Sequence, residues 1–437
     1  MPCSTPITPS TTSTSFNELS MEIFERIFDN FDNKGKEYIS TLHSCLLVNK
    51  NWSLYIIKLL YSNPFYYCKE LKNIDKIIDT LLLCLNQPEL EMLVGYGIIN
   101  SSKGGISAYY DYPKYLKNLY YRGFLSIINS WLTTKSNAAI SNDQYSEMSS
   151  DSYMTYTSTA SSQFEAIVRV LLNMISRKSE RLEKLHVGST NLIWDKKELS
   201  CMYLLMSHSL GVSSSGFLNG LCSNLNNIYL TVDCPMSNFL PLLSKQSKNL
   251  TNLGVMMDLH RKSCFNHSPP PTDNSDVKNI CTLISSQRNL QHFQTMFFSS
   301  TSLLISALYT QHKSLRSLDF YWVNFEDCTP LVELTEFKQL EILKFRNCFN
   351  IKREICEPLL DNEWEKLCCV TVVNTDCFIL REWSRKISIK MSNRNSSLNR
   401  NNNNIVKKSN IVKSNHIIKR NKFTILTNNF KRDFKIE

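Results

Sequence analysis

A short phrase that begins with leucine recurs from the middle of the chain onward, and it limits the possible fold more than any other feature. Each of six copies has leucine first and an apolar residue at its fourth position. Successive copies start 43, 25, 40, 25 and 25 residues apart, so three intervals match one unit and two match a unit with an insertion. The copies begin at Leu182, Leu225, Leu250, Leu290, Leu315 and Leu340. Such a period predicts an array of similar units stacked on their neighbours.

Each unit is predicted to contain a helix followed by a short strand, because apolar residues at helical spacing precede most of the alternating phrases. These helical residues are Phe239, Leu242 and Leu243 before the third phrase, Val277, Ile280 and Ile284 before the fourth, and Leu331, Leu334 and Phe337 before the sixth. A degenerate further unit is predicted from Trp364, with Leu367 and Cys369. Stacked units of this kind predict an α/β solenoid with strands on its concave face and helices outside.

The body of the chain therefore resembles the leucine-rich-repeat family over roughly residues 164–380, and we place this predicted domain at residues 163–384. Strand side chains alternate between two faces, so the residues between the apolar positions of each phrase should face the concave surface. They form a mixed polar and aromatic set of the kind that contacts other proteins. The candidate target-binding residues are Tyr229, His292, Gln294, Asp319, Tyr321, Lys344 and Arg346.

The segment near the N-terminus is predicted to form a small helical module. Apolar residues recur at helical spacing after Ser20, and a second stripe runs from Leu42 to Leu60 and ends at Pro64. About fifty residues of short helices bury little core of their own, so part of this apolar surface is expected to dock onto a partner. The alternative is that the stripes only pack helix against helix.

The order of these motifs resembles an F-box, the helical motif that ties target receptors to the adaptor subunit of cullin–RING ubiquitin ligases. The resemblance covers about residues 16–65 and rests on Leu19 with the stretch MEIFERIF, then LHSCLLVNKNW and YSNPF. F-boxes usually open with Leu-Pro, whereas Leu19 is followed by Ser20, which can cap a helix but lacks the fixed backbone of proline. The resemblance implies an adaptor-binding set of Leu19, Ile23, Phe24, Ile27, Phe28, Leu42, Leu46 and Trp52.

The remaining segments differ in composition from both modules. Residues 1–15 and the tail 385–437 are predicted to be disordered, residues 66–135 form a helical or mixed linker region, and residues 136–162 read as a low-complexity loop. Residues 381–437 hold 15 Lys/Arg against 3 Asp/Glu, a net charge of +12. The whole chain carries +10, so residues 1–380 carry 10 − 12 = −2. The body is therefore close to neutral, and electrostatic attraction of nucleic acid is expected only of the tail.

The sequence contains none of the common catalytic or metal-binding motifs. It has no C-x-x-C pair, H-E-x-x-H or G-x-S-x-G, and its glycine pairs lack the residues of a phosphate loop. We therefore predict no catalytic residues, no metal and no cofactor. The 15 cysteines without a signal-peptide pattern favour a reducing compartment, the cytosol or nucleus, and the longest apolar run is too short to span a membrane.

Taken together, these features predict a non-catalytic target receptor of an F-box-type ubiquitin ligase. Its partners would be the ligase adaptor subunit, through it a cullin, and a protein target held by the repeat body. The alternative from another class is a repeat scaffold whose N-terminal helices only cap the array and whose basic tail contacts nucleic acid. An enzyme of unrecognised type is the third reading.

Overall fold

The fold contains an open sheet of eight parallel strands in which the strand order equals the chain order. The structure is a computed structural model, and it describes Ile23 and residues 36–65, 75–100, 108–139, 150–179, 182–187, 225–232, 239–257, 274–298, 300–375 and 377–406. The strands are β1 (Asn118–Tyr120), β2 (Lys184–Val187), β3 (Asn227–Val232), β4 (Asn252–Met257), β5 (His292–Met296), β6 (Ser317–Tyr321), β7 (Ile342–Arg346) and β8 (Cys369–Val373). The chain is therefore an α/β protein, as predicted, and the sheet is compatible with the predicted solenoid.

A buried leucine lies two residues before every strand. Six of these are the leucines that open the repeated phrases, and the predicted further unit supplies Leu367 before β8. The eighth, Leu116, precedes β1, which the sequence prediction missed. The second residue of each strand is also buried, and these residues align across the sheet, from Leu119 through Leu185 and onward to Val370. These two leucine-type positions form the continuous apolar layer on which the helices pack.

The helices from Asp75 onward contribute their buried residues to the same core cluster as the strands, so they cover one face of the sheet, whereas the two helices before them pack on each other in a separate cluster. We call the opposite face the front face. The helices are α1 (Lys36–Leu46), α2 (Lys50–Ser62), α3 (Asp75–Leu82), α4 (Gln87–Gly95), α5 (Tyr121–Ala139), α6 (Ser150–Lys178), α7 (Phe239–Gln246), α8 (Asn274–Ser285), α9 (Thr301–Tyr309), α10 (Arg353–Asp361) and α11 (Phe378–Val406). Short 3-10 turns lie at Tyr112–Tyr115 and Glu333–Glu336, the second of them where a full helix was predicted before β7.

Buried side chains bond to main-chain groups between consecutive units. Gln287 Oε1 accepts a hydrogen bond from the Leu250 N–H at 3.1 Å, and its Nε2 donates to the Ser247 carbonyl at 2.8 Å. Gln311 repeats the arrangement one unit later, with the Leu290 N–H as donor at 3.3 Å. Main-chain groups just before β4 and β5 are thereby satisfied inside the core.

The sheet and its helices extend beyond the predicted repeat domain at both ends. β1 and α5 lie before residue 163, where we predicted the domain to begin, and α6 covers residues 150–162 of the predicted low-complexity loop. The loop was predicted from the polar composition of this segment. The helix is instead stabilised by its later turns, whose buried residues from Phe164 to Ile175 pack in the core. α11 likewise runs to Val406, through the first part of the predicted disordered tail, and it packs on β8 through buried Leu380 and Trp383.

The N-terminal helices are joined closely to the first unit of the sheet. The Lys117 N–H donates to the Ser62 carbonyl at 3.0 Å, and the rings of Phe65 and Phe124 meet edge to face at 5.1 Å. A Cβ atom at Gly123 would lie 2.7 Å from the Phe65 carbonyl oxygen, so only glycine permits this approach of α5. Within the part of the chain that the structure describes, no helix has the length and apolar character needed to cross a bilayer.

Candidate recognition surface

All seven predicted target-binding residues lie on the front face. The strand register aligns Tyr229, Gln294, Asp319 and Lys344 at the third position of their strands, and Tyr321 and Arg346 at the fifth. His292 occupies the first position of β5. The structure therefore brings together, across β3 to β7, residues that the sequence separates by more than a hundred positions.

A desolvated ion pair lies in the middle of this surface. Asp319 accepts from Arg346 Nε at 3.0 Å and from Arg346 Nη2 at 2.6 Å, so the contact is bidentate. The two side chains are only 6% and 12% exposed, and Lys344 Nζ lies 4.0 Å from the same carboxylate. A pair held so tightly is positioned rigidly, and removing one partner leaves the other charge dehydrated.

Aromatic and methionine side chains form a second cluster beside the ion pair. The Arg346 guanidinium lies 4.8 Å from the centre of the Tyr321 ring, a cation–π distance. Met296 is buried at the centre of this cluster, and Tyr229, Met256, Phe297 and Tyr321 pack against it. Trp322 adds its ring, 6.1 Å from Phe297 in a stacked arrangement. We call Met256, Met296, Phe297, Tyr321 and Trp322 the platform.

Two platform residues adopt a backbone conformation that bulky residues rarely take. The residues that follow β5, β6, β7 and β8 all have positive φ, with values of 57° for Phe297, 52° for Trp322, 51° for Asn347 and 47° for Asn374. In the first three of these positions the main-chain N–H donates to the carbonyl oxygen of the last residue of the next strand, with N···O distances of 2.8–3.1 Å. Asparagine accepts the left-handed conformation readily, whereas an aromatic residue there costs about 1–2 kcal/mol.

The position two residues past each strand carries a hydrogen bond in the last two units. The Cys348 thiol donates to the carbonyls of Phe320 and Arg346 at 3.5 Å each. The Thr375 hydroxyl, its register equivalent, donates to the carbonyls of Phe345 and Val373. In the preceding unit the same position is occupied by the buried, apolar side chain of Val323. Cys348 therefore stabilises the turn after β7.

A ladder of stacked rings occupies the front face of the first three strands. His186 lies between Tyr120 and Tyr229, with ring centres 4.0 Å and 4.6 Å away. The edge of the imidazole reaches solvent, but its faces are covered, and this burial, with Lys184 nearby, lowers the pKa of His186 to about 3. The pKa of His292 is lowered to about 4, mainly by burial and secondly by the nearby positive charge of Arg316. Both imidazoles are therefore neutral at pH 7.

The two depressed histidine pKa values predict that stability falls as the pH falls. An unfolded histidine gains its proton near pH 6.5, whereas the folded rings stay neutral until about pH 4, so protons favour the unfolded chain between those values. Each ring should remove roughly 1 kcal/mol of unfolding free energy per pH unit in that window. Denaturant unfolding of the wild type and of His186→Phe, which keeps a stacking ring, measures this. Equal pH slopes for the two proteins would contradict the prediction.

One polar atom of the front face has no partner. Gln294 Nε2 is buried and makes no hydrogen bond with any described residue. Gln294 aligns with Asp319 in the neighbouring strand, and it lies two residues before Met296 of the platform. A buried amide donor without an acceptor costs about 1–3 kcal/mol, which an external acceptor would recover.

Four of the eight predicted adaptor-binding residues lie in the described part of the chain, and they differ in how far they are buried. Leu42 is buried between α1 and α2, where it packs with Tyr55 and Ile56, and Leu46 and Trp52 are partly buried against the same cluster. Ile23 is exposed. Leu19, Phe24, Ile27 and Phe28 lie outside the described residues.

The connection between α1 and α2 exposes apolar side chains that the sequence prediction passed over. The predicted continuous stripe is broken at Asn49, which caps α2 by accepting from the Trp52 N–H at 2.9 Å. The break leaves Leu47 84% exposed and Val48 exposed beside it. An asparagine inside an apolar stripe is a usual sign of a helix start, so this exposed turn could have been found from the sequence.

The described residues offer little reactive chemistry. They contain no group of three or more His, Cys, Asp or Glu side chains that could hold a metal ion. Burial raises the pKa of the Cys281 thiol to about 11 and that of Cys348 to about 12, so both stay protonated at neutral pH and are poor nucleophiles.

Comparisons of the chain with protein-family models, with curated proteins and with solved structures found no match. The front face of the sheet and the exposed turn between α1 and α2 are the candidate binding surfaces.

Proposed function

We propose that the chain is a non-catalytic target receptor of a cullin–RING ubiquitin ligase, built from an F-box-like module and a leucine-rich-repeat solenoid. The front face of the sheet would be the concave, target-binding side. The observation that carries the proposal is the composition of this face, where Tyr, Trp, Met and Arg side chains surround a desolvated ion pair. These residue types dominate the energetics of protein–protein contacts.

The repeat geometry supports a solenoid of this family. Every strand follows a buried leucine, every strand pairs with its chain neighbours, and Cys348 and Thr375 bond the carbonyls of the preceding unit. Such stacks present one long face of strands, and that face is well suited to contact an extended partner.

The N-terminal module supports the ligase role through its exposed turn and its attachment. Leu47 and Val48 form an exposed apolar patch outside the α1–α2 core, as docking requires. The main-chain bond of Ser62 and the ring contact of Phe65 hold the module against the first unit of the sheet. A partner docked at this turn would therefore be held at a fixed place relative to the target. The receptor would promote the ligase reaction by keeping the two close together.

Capture of the ligase adaptor subunit tests this proposal. The full chain is co-expressed with that subunit as wild type and as the double variant Leu47→Glu with Val48→Glu. Because both side chains are exposed, the variant should fold, which circular dichroism checks. We expect wild type to capture the adaptor and the variant to bind at least about tenfold more weakly.

Val332→Glu provides the matched control, because Val332 is also an exposed valine but lies far along the sheet. It should capture the adaptor as the wild type does. If folded wild type shows no affinity even at roughly tens of micromolar, the weak end of specific association, the ligase role is wrong.

A further inference from the structure

We propose that the platform binds a large apolar side chain of an extended peptide segment in the target, and that Gln294 and Arg346 donate hydrogen bonds to carbonyl oxygens of that segment. This inference rests on the proposed function, in that it takes the front face as the target-binding surface. It goes further by naming the anchoring residues and the chemistry of the segment that they hold.

The backbone of the platform gives the first argument. The positive-φ position after each strand is filled by Phe297 and Trp322 in two units and by Asn347 and Asn374 in the next two. The turn itself is satisfied by asparagine, so folding alone does not call for aromatic residues there. Trp322 nevertheless remains 39% exposed, and it stacks on Phe297 at the margin of the front face. Strain of this kind is characteristic of positions retained for binding.

The hydrogen-bond donors beside the platform give the second argument. Gln294 Nε2 is buried and has no acceptor among the described residues. The Arg346 guanidinium uses Nε and Nη2 for Asp319, and it retains further N–H groups while lying over the Tyr321 ring. A peptide segment passing over these strands would bring main-chain carbonyl oxygens to such donors.

The distribution of charge favours a protein segment over a nucleic acid. On the front face of the eight strands the cationic side chains are Lys184, Lys344 and Arg346, and the last of these is bound to Asp319. A nucleic acid is held by rows of cations along its phosphates, which this face lacks. Trp322, Tyr321 and the partly exposed Met256, supported from below by buried Met296, instead match the apolar side chains of a protein.

A peptide-binding experiment with the full chain, bound to the ligase adaptor where that complex forms, tests the inference. The probe is a displayed library of random short peptides, selected on wild type and then measured individually on Trp322→Asn. Asparagine fits this backbone position, as Asn347 shows in the next unit, so the variant should keep its denaturation midpoint near that of the wild type. The control is Phe349→Asn, because Phe349 is 38% exposed and lies outside the platform.

We expect selected peptides to share an aromatic or large aliphatic residue, to bind Trp322→Asn at least about tenfold more weakly, and to bind Phe349→Asn as they bind the wild type. The inference is overturned if no peptide is selected, or if selected peptides bind all three proteins equally. Adaptor capture by the same samples reports separately on the ligase role, so loss of capture with retained peptide binding would remove the ligase role and leave the platform assignment intact.

Discussion

Asp319→Asn is expected to lower the free energy of unfolding by roughly 3–5 kcal/mol, the cost of leaving a buried charge without its counter-ion. The carboxylate accepts two hydrogen bonds from Arg346 and lies near Lys344, and neither member of the bidentate pair can regain full hydration in the folded protein. Denaturant unfolding monitored by circular dichroism measures the change.

Glu341→Gln is the matched control for this substitution. Glu341 pairs with Arg316 at 3.7 Å, each one residue before its strand, but the two side chains are 32% and 49% exposed. Screening by water should limit its loss to at most about 1 kcal/mol. The double variant Asp319→Asn with Arg346→Met should recover part of the stability that Asp319→Asn loses, because it also removes the orphaned guanidinium. Equal losses for Asp319→Asn and Glu341→Gln would contradict the account of a desolvated pair.

Phe320→Ala is expected to cost about 3–5 kcal/mol, since it removes a fully buried ring from the apolar layer between sheet and helices. The Phe320 ring stacks with Phe345 at 5.5 Å and meets Phe325 edge to face at 5.4 Å. These neighbours come from consecutive units, so the cavity would weaken the contact between units as well as the unit itself.

Phe349→Ala removes the same side chain from an exposed position and should change the unfolding free energy by no more than about 0.5 kcal/mol. Its backbone bonds to Val323 and Phe325 do not depend on the ring. A loss for Phe320→Ala as small as that for Phe349→Ala would mean that the aromatic layer between β6 and β7 is not packed as described.

The strands could be located from the sequence because leucine marks each of them. The six phrases and Leu367 lie at the same distance before their strands, and strand alternation was enough to place the seven predicted residues on one face. Leu116 opens the same pattern before β1, but the strand is only three residues long and stands in an aromatic-rich stretch. Periodicity is weak evidence over so short a segment.

The details that give the front face its chemistry could not be read from the sequence. The pairing of Asp319 with Arg346 depends on strand register and on which neighbour the guanidinium reaches, and a sequence pattern fixes neither. Of the platform, the sequence prediction included Tyr321 and missed the other four residues. Sequence rules put glycine or asparagine at positive φ, so Phe297 and Trp322 do not signal that conformation. Sites that break local rules are where prediction from local rules fails.

The strand order of the sheet also bears on how the protein is made. Each strand pairs only with the strands nearest to it in the chain, so a nascent chain leaving the ribosome can add one unit at a time onto those already formed. Until α11 is synthesised, the growing end exposes an unpaired strand. Ser384 of α11 then donates to the Val370 carbonyl of β8 at 2.6 Å, and the helix covers that edge. A chain truncated before α11 would therefore expose the unpaired edge of β8 and be prone to aggregate.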